Sequence, residues 1–216
     1  MRIDLARART IAIVGNGSIR ADVAAQIDTC DLVIRMNHAP LCGVAGRRTN
    51  ILVLNQHSIR RQFEKRPANR LAMRGAKEIW LGFDGFASPL EDSRLNTMAN
   101  GRPFRMLPES DALKRQIAVH GGDWTRVVPS LGAKTLDTVV RESTADIRLF
   151  GFDHAGWGGH SWSLEQQWFD AVRPDRVRRI TGTAAPLALS HRHSIERGVG
   201  LIQNLFRRVI RKLQAK

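Results

Sequence analysis

The stretch Val33-Ile34-Arg35-Met36-Asn37-His38-Ala39-Pro40 sets an arginine, an asparagine and a histidine where a short apolar run stops. Side chains of these types can offset a phosphate charge, hydrogen-bond a ribose or exchange a proton. A second polar cluster, Gly15-Asn16-Gly17-Ser18, follows the apolar run at 10–14. Its glycines let the backbone approach a phosphate or ribose, and a helix starting there aims free N–H groups at the ligand. A third, Pro129-Ser130-Leu131-Gly132, has in Ser130 a helix-capping side chain. Residues 153–162 hold His154, His160, Trp157, Trp162 and three glycines, an unusual make-up for a plain connector. Ser190-His191-Arg192-His193-Ser194-Ile195-Glu196 supplies further imidazoles, the groups most easily poised as a base near neutral pH. Glu196 there can simply complement a helix dipole.

Each cluster needs a strand end or helix start to hold it. Short, β-branched apolar runs predict strands at 10–14, 32–34, 51–54, 78–83, 126–128, 147–152 and 177–180. Apolar spacing predicts helices at 19–27, at 60–73 with a break or kink at Pro67, and at 111–119, 132–141, 164–172 and 194–213. Residues 84–108, rich in Gly, Pro, Asn and Ser, read as a long loop. Strands alternating with helices imply an α/β, Rossmann-like single domain over 1–198, with a mostly parallel sheet flanked by helices. Ligands of such sheets bind beyond the carboxyl ends of the strands, where all five clusters fall.

The glycine cluster invites a dinucleotide reading. Gly15 and Gly17 match G-x-G, but Arg20 stands where the third glycine belongs. The acidic residue expected at the end of the second strand is replaced by Arg35, Asn37 and His38. Arginine there suits NADP, so an NADP-dependent oxidoreductase remains an alternative. Net charge is +14, from 34 Lys and Arg against 20 Asp and Glu. This favours anionic partners without choosing among nucleotide, nucleic acid and membrane. A basic nucleic-acid-binding module is a second alternative, and it lacks clustered basic and aromatic residues. Cys30 and Cys42 read as reduced, buried thiols. With no signal-peptide core and no run of about 20 apolar residues, the expectation is a cytoplasmic protein.

Four segments, in order, resemble the sialyltransferases of glycosyltransferase family 29. IAIVGNGSIR…IDTCDLVIRMNHAP…GRRTN (11–50) resembles the family's large motif, and PSLGAKTLDTVVRESTADIRLFGFD (129–153) its small motif. HSW (160–162) is similar to the short third motif, and HRHSIE (191–196) to the very small motif. Animal members join the first two motifs by a disulfide. The matching positions here are Thr10 and the Thr144–Ala145 region, so that bond cannot form. Leu131 stands for the small motif's usual threonine and Ser161 for an aromatic of the third.

The resemblance implies a variant nucleotide-sugar transferase fold. It also implies metal-independent, inverting transfer of sialic acid, or a related ulosonic acid such as Kdo, from a CMP-activated donor to a glycan or glycolipid hydroxyl. No Asp-x-Asp metal pair occurs in the sequence, and no cofactor beyond the donor is implied. Carried onto this chain, Gly15, Asn16 and Asn37 would meet the CMP phosphate and ribose, and Ser130 and Gly132 the cytidine. His160 would donate to the departing phosphate and His191 would act as general base. His191 is preferred to His193 for its five-residue offset to Glu196. Arg35 would hold a turn or neutralise charge. Residues 199–216 form a basic amphipathic stretch: Leu201, Leu205, Val209 and Leu213 share a face, and Arg207, Arg208, Arg211 and Lys212 crowd the rest. Such a helix packs on the domain or lies on an anionic membrane, here the inner face.

Overall fold

The computed structural model describes residues 2–37, 41–55, 67–82, 100–108, 110–154 and 159–187. Seven strands form one sheet: β1 (Thr10–Val14), β2 (Leu32–Met36), β3 (Ile51–Asn55), β4 (Glu78–Gly82), β5 (Phe104–Met106), β6 (Asp146–Phe150) and β7 (Val177–Arg179). Their spatial order is β5-β4-β3-β2-β1-β6-β7, and every pairing is parallel. Among the described residues five α-helices accompany them: α1 (Ala21–Asp28), α2 (Pro67–Gly75), α3 (Asp111–Ala118), α4 (Leu131–Glu142) and α5 (Trp162–Ala171). The α/β, Rossmann-like arrangement expected from the alternating pattern is the one observed.

Both faces of the sheet are covered, which is why its strands are apolar throughout rather than alternating. Ile11 and Ile13 of β1 face α3, α4 and α5 in one core, with Leu113, Ile117, Leu136, Val139, Trp168 and Phe169. Ala12 and Val14 face α1 on the other side, packed with Val23, Ala24 and Ile27. α2 covers β3 and β4 on that same side through Ala72 and Met73, against Leu52, Leu54, Ile79 and Leu81. The helix after β1 therefore lies on one face and the helix after β6 on the other. β1 and β6 are neighbours in the sheet, so the chain leaves them in opposite directions. That divergence is the topological switch point at which open α/β sheets form their ligand crevice.

Two local expectations are corrected. Residues 126–128 are no strand: a 3-10 turn occupies Trp124–Arg126, and Asp123 caps it by accepting the Thr125 N–H at 3.0 Å. The stretch read as a loop to 108 contains β5, three residues paired with β4 at the sheet edge. Of the helix predicted over 60–73, the part from Pro67 is described, running to Gly75. Residues 60–66, the terminal helix predicted at 194–213, and the basic stretch at 199–216 lie outside the described residues. Cys30 and Cys42 are buried free thiols, and burial raises the pKa of both.

Candidate functional site

The β1 exit is shaped by close backbone approach. Gly15 donates its N–H to Phe150 O at 2.8 Å, and Gly17 donates to Gly151 O at 2.8 Å. A Cβ on Gly15 would stand 2.5 Å from Gly151 O, and one on Gly17 2.6 Å from the same atom. Both glycines are thus required for the β1 exit to lie on the β6 exit. Their N–H groups are committed to that packing, which weighs against a dinucleotide pyrophosphate cradled by this turn. Asn16, between them, is partly exposed at the switch point.

Asn37 ends β2 in the left-handed region at φ 48°, a conformation asparagine tolerates better than most residues. Its N–H donates to Val53 O at 2.7 Å, and its Oδ1 accepts the Asn55 N–H at 3.3 Å. The side chain therefore ties the ends of β2 and β3 at the same sheet edge. His38 lies outside the described residues.

Arg35 does not face that edge. It is 1% exposed, on the α1 side of the sheet. Its Nε donates to Arg48 O at 2.9 Å and its Nη2 to Ala45 O at 2.8 Å. Burial lowers its pKa, with the nearby Asp28 carboxylate opposing the shift. Asp28 in turn accepts the N–H groups of Arg47 at 2.7 Å and Arg48 at 3.0 Å. The Arg48 guanidinium donates to the carbonyls of Asp28, Cys30 and Asp31. Much of the charged content of 28–48 thus knits a loop to β2. Of the two roles left open for Arg35, the structure supports the turn-holding one.

Ser130 and Gly132 stand at the start of α4, which reaches the same edge. The Ser130 Oγ caps the helix by accepting the Ala133 N–H at 3.1 Å. Leu131 contacts Gly82 at the end of β4. A Cβ on Gly132 would stand 2.8 Å from the ring of Phe152, just past β6. The Phe152 ring also lies 3.4 Å from where a Gly15 Cβ would be. One phenyl ring therefore links the two glycine turns predicted to meet the nucleotide.

His160 leads into α5, and its Nδ1 is 2.8 Å from Val128 O. A carbonyl only accepts, so Nδ1 carries the proton and Nε2 is the nitrogen able to exchange one. The ring packs edge-on against Trp162 with centroids 4.9 Å apart. His160 and Ser130 are thus brought together across the 128–130 segment. His154, in the β6 exit at φ 46°, has Nε2 2.7 Å from Arg179 Nη2, which fixes its Nδ1–H tautomer. Burial, helped by the Arg179 charge, lowers its pKa to about 4, so it is neutral at physiological pH.

Sequence reasoning missed Glu165. It is fully buried in the first turn of α5, and its Oε1 accepts the Ser130 N–H at 2.6 Å. Burial raises its pKa to about 7 against the pull of the Ser130 hydrogen bonds and the Lys134 charge. A signal was present: Glu165 precedes Trp168 and Phe169 by three and four residues, on the inward stripe of the helix.

After β7 the chain returns to the start of α1. Asp22 accepts the Thr183 N–H at 2.8 Å, Arg20 donates to Ala184 O at 2.9 Å, and Leu187 N–H donates to Ile19 O at 2.8 Å. Leu187 is four residues ahead of His191 in the sequence, and His191, His193 and Glu196 lie outside the described residues. Among the described residues no group of three or more His, Cys, Asp or Glu gathers as a metal site, and no helix is long and apolar enough to cross a membrane.

Comparison with known proteins adds two findings. Residues 2–79 match the model of glycosyltransferase family 29 (sialyltransferase), a span running from before β1 into β4. The chain is also similar to a protein of Rhizobium meliloti (strain 1021) named urease operon 23 kDa accessory protein. The two are 28% identical over 211 residues, covering 80% of this chain and 93% of the relative. The matched family points to a glycosyltransferase through the amino-terminal third of the chain, while the relative's name points elsewhere.

Proposed function

We propose that the protein is a glycosyltransferase of the sialyltransferase type, using a CMP-activated sialic or related ulosonic acid as donor. The observation that carries this reading is the meeting of two turns on one ring: Phe152 lies against both the Gly15 turn after β1 and the Ser130–Gly132 turn at the start of α4, with Asn16 and Asn37 at the same strand ends. The family match over 2–79 supports the same reading.

In this mechanism Asn16 and Asn37 hydrogen-bond the CMP phosphate and ribose, and Ser130 and Gly132 lie against the cytidine. His160, held through Nδ1 by Val128 O, presents Nε2 to the departing phosphate and donates a proton from its imidazolium form. His191 accepts the proton of the acceptor hydroxyl as the glycosidic bond forms. The helix starts at this edge add favourable dipoles for a phosphate. The acceptor is a glycan or glycolipid hydroxyl, no metal or further cofactor takes part, and no nucleic acid is a partner.

The test is incubation of the full chain with CMP-sialic acid and with CMP-Kdo, watching for CMP release, beside thermal-shift measurements with CMP, NADP and an oligonucleotide. Stabilisation by CMP alone with CMP release supports the reading. Stabilisation by NADP, or absence of both CMP binding and CMP release, overturns it. The latter outcome would favour an accessory role, the word in the Rhizobium meliloti relative's name.

A further inference from the structure

We infer that Glu165 is a positioning residue for the turn at Ser130, gripping that turn from beneath so that its outer surface is preset for the nucleotide. The ligand part rests on the CMP reading above, and the grip itself does not. Glu165 Oε1 holds the Ser130 N–H at 2.6 Å, while Ser130 Oγ is separately engaged by the Ala133 N–H at 3.1 Å. The Ser130 backbone is therefore held by Glu165, and its side chain is engaged by both the Ala133 N–H and Glu165. The neighbouring segment is tied the same way, since His160 donates to Val128 O two residues before Ser130. The 128–130 strap is thus held at both ends by the segment that opens α5.

Glu165 is an expensive choice for simple packing. Its Oε2 is buried with no hydrogen-bond partner among the described residues. An apolar side chain at this inward position would remove that desolvation cost and leave only the Ser130 N–H unpaired. A carboxyl retained there is explained by the bond it makes. The charged group facing it is Lys134, buried on α4.

The experiment uses the full chain with Glu165→Gln, Glu165→Leu and Glu165→Asp. Hydrogen exchange at the Ser130 amide is read beside CMP affinity at pH 6 and pH 8, and beside KM and kcat for CMP-sialic acid. Glu165→Gln keeps an acceptor, so Ser130 protection and CMP affinity stay close to wild type. Glu165→Leu loses the protection, and CMP affinity falls about tenfold, the scale of one lost hydrogen bond. The defect appears in KM more than in kcat. Glu165→Asp, one methylene short, gives the same loss if the leucine variant does not fold. Wild-type CMP affinity in a folded Glu165→Leu or Glu165→Asp protein overturns the proposal, as does a Glu165→Gln variant as impaired as Glu165→Leu. If the wild type binds no CMP while Ser130 protection still depends on Glu165, the functional reading fails and the grip stands.

Discussion

Gly15 and Gly132 press on the same phenyl ring: added Cβ atoms would stand 3.4 Å from Cδ2 and 2.8 Å from Cε1 of Phe152. The two turns are therefore mechanically coupled through a ring that follows β6. Gly132→Ala must displace that ring, whereas Gly15→Ala also meets the backbone oxygen of Gly151 at 2.5 Å. Overpacking of this kind costs about 1–3 kcal/mol, and a backbone opponent yields less than a ring. Urea denaturation is expected to rank Gly15→Ala as the less stable of the two, with Gly132→Ala between it and wild type.

Arg35→Met removes two charge-assisted bonds to loop carbonyls in a buried site. Each is worth about 1.5–3 kcal/mol, so the variant is expected to lose several kcal/mol of stability. Arg35 contacts the 45–48 loop on the α1 side, so CMP release per folded molecule should change little. A variant of wild-type stability with no turnover would return Arg35 to the site.

Glu165 makes stability depend on pH. Its folded pKa, near 7, lies above the ordinary glutamate value of 4.5. Between these values the folded state holds a proton that the unfolded state has lost, so stability falls as pH rises from 4.5 to 7. A shift of this size is worth about 3 kcal/mol at most. Denaturation midpoints measured from pH 4.5 to 8 should decline less in Glu165→Gln than in wild type.

Under the proposed mechanism the imidazoles separate by role. His191→Ala is expected to abolish transfer while CMP still binds, because the base acts on the acceptor. His160→Ala should slow CMP release by about 10²–10⁴-fold, the range for a positioned acid or base. A dead His193→Ala beside an active His191→Ala would reassign the base.

Residues 199–216 predict binding to anionic membranes. Vesicles containing phosphatidylserine should float the full chain and not one ending at residue 198, with binding weakened by salt. Equal flotation of the two removes the membrane reading and leaves packing on the domain.

Much of the fold is legible in the sequence because a parallel sheet covered on both faces writes its strands as unbroken apolar runs. β1, β3 and β4 are found this way almost to the residue. β5 is not, since Phe104, Arg105 and Met106 form a short, half-exposed edge strand that carries no such run. The false strand at 126–128 has the β-branched look of Val127 and Val128, but Asp123 capping and the stacking of Arg115 on Trp124 favour a turn instead. At the site, residue types revealed the turns at Asn16, Asn37 and Ser130. They could not reveal that Arg35 turns inward or that Glu165 reaches Ser130, because those contacts join segments far apart in the chain.

The interior place of β1, between β2 and β6, has a consequence for synthesis. Its second neighbour, β6, is translated more than a hundred residues later, a delay on the order of ten seconds at ribosomal speed. Throughout that interval the nascent chain carries an unpaired strand edge of Thr-Ile-Ala-Ile-Val, the kind of surface on which chains stick to one another. Expression yield should therefore depend on chaperone supply, and chains truncated before residue 146 should aggregate rather than persist as small folded units.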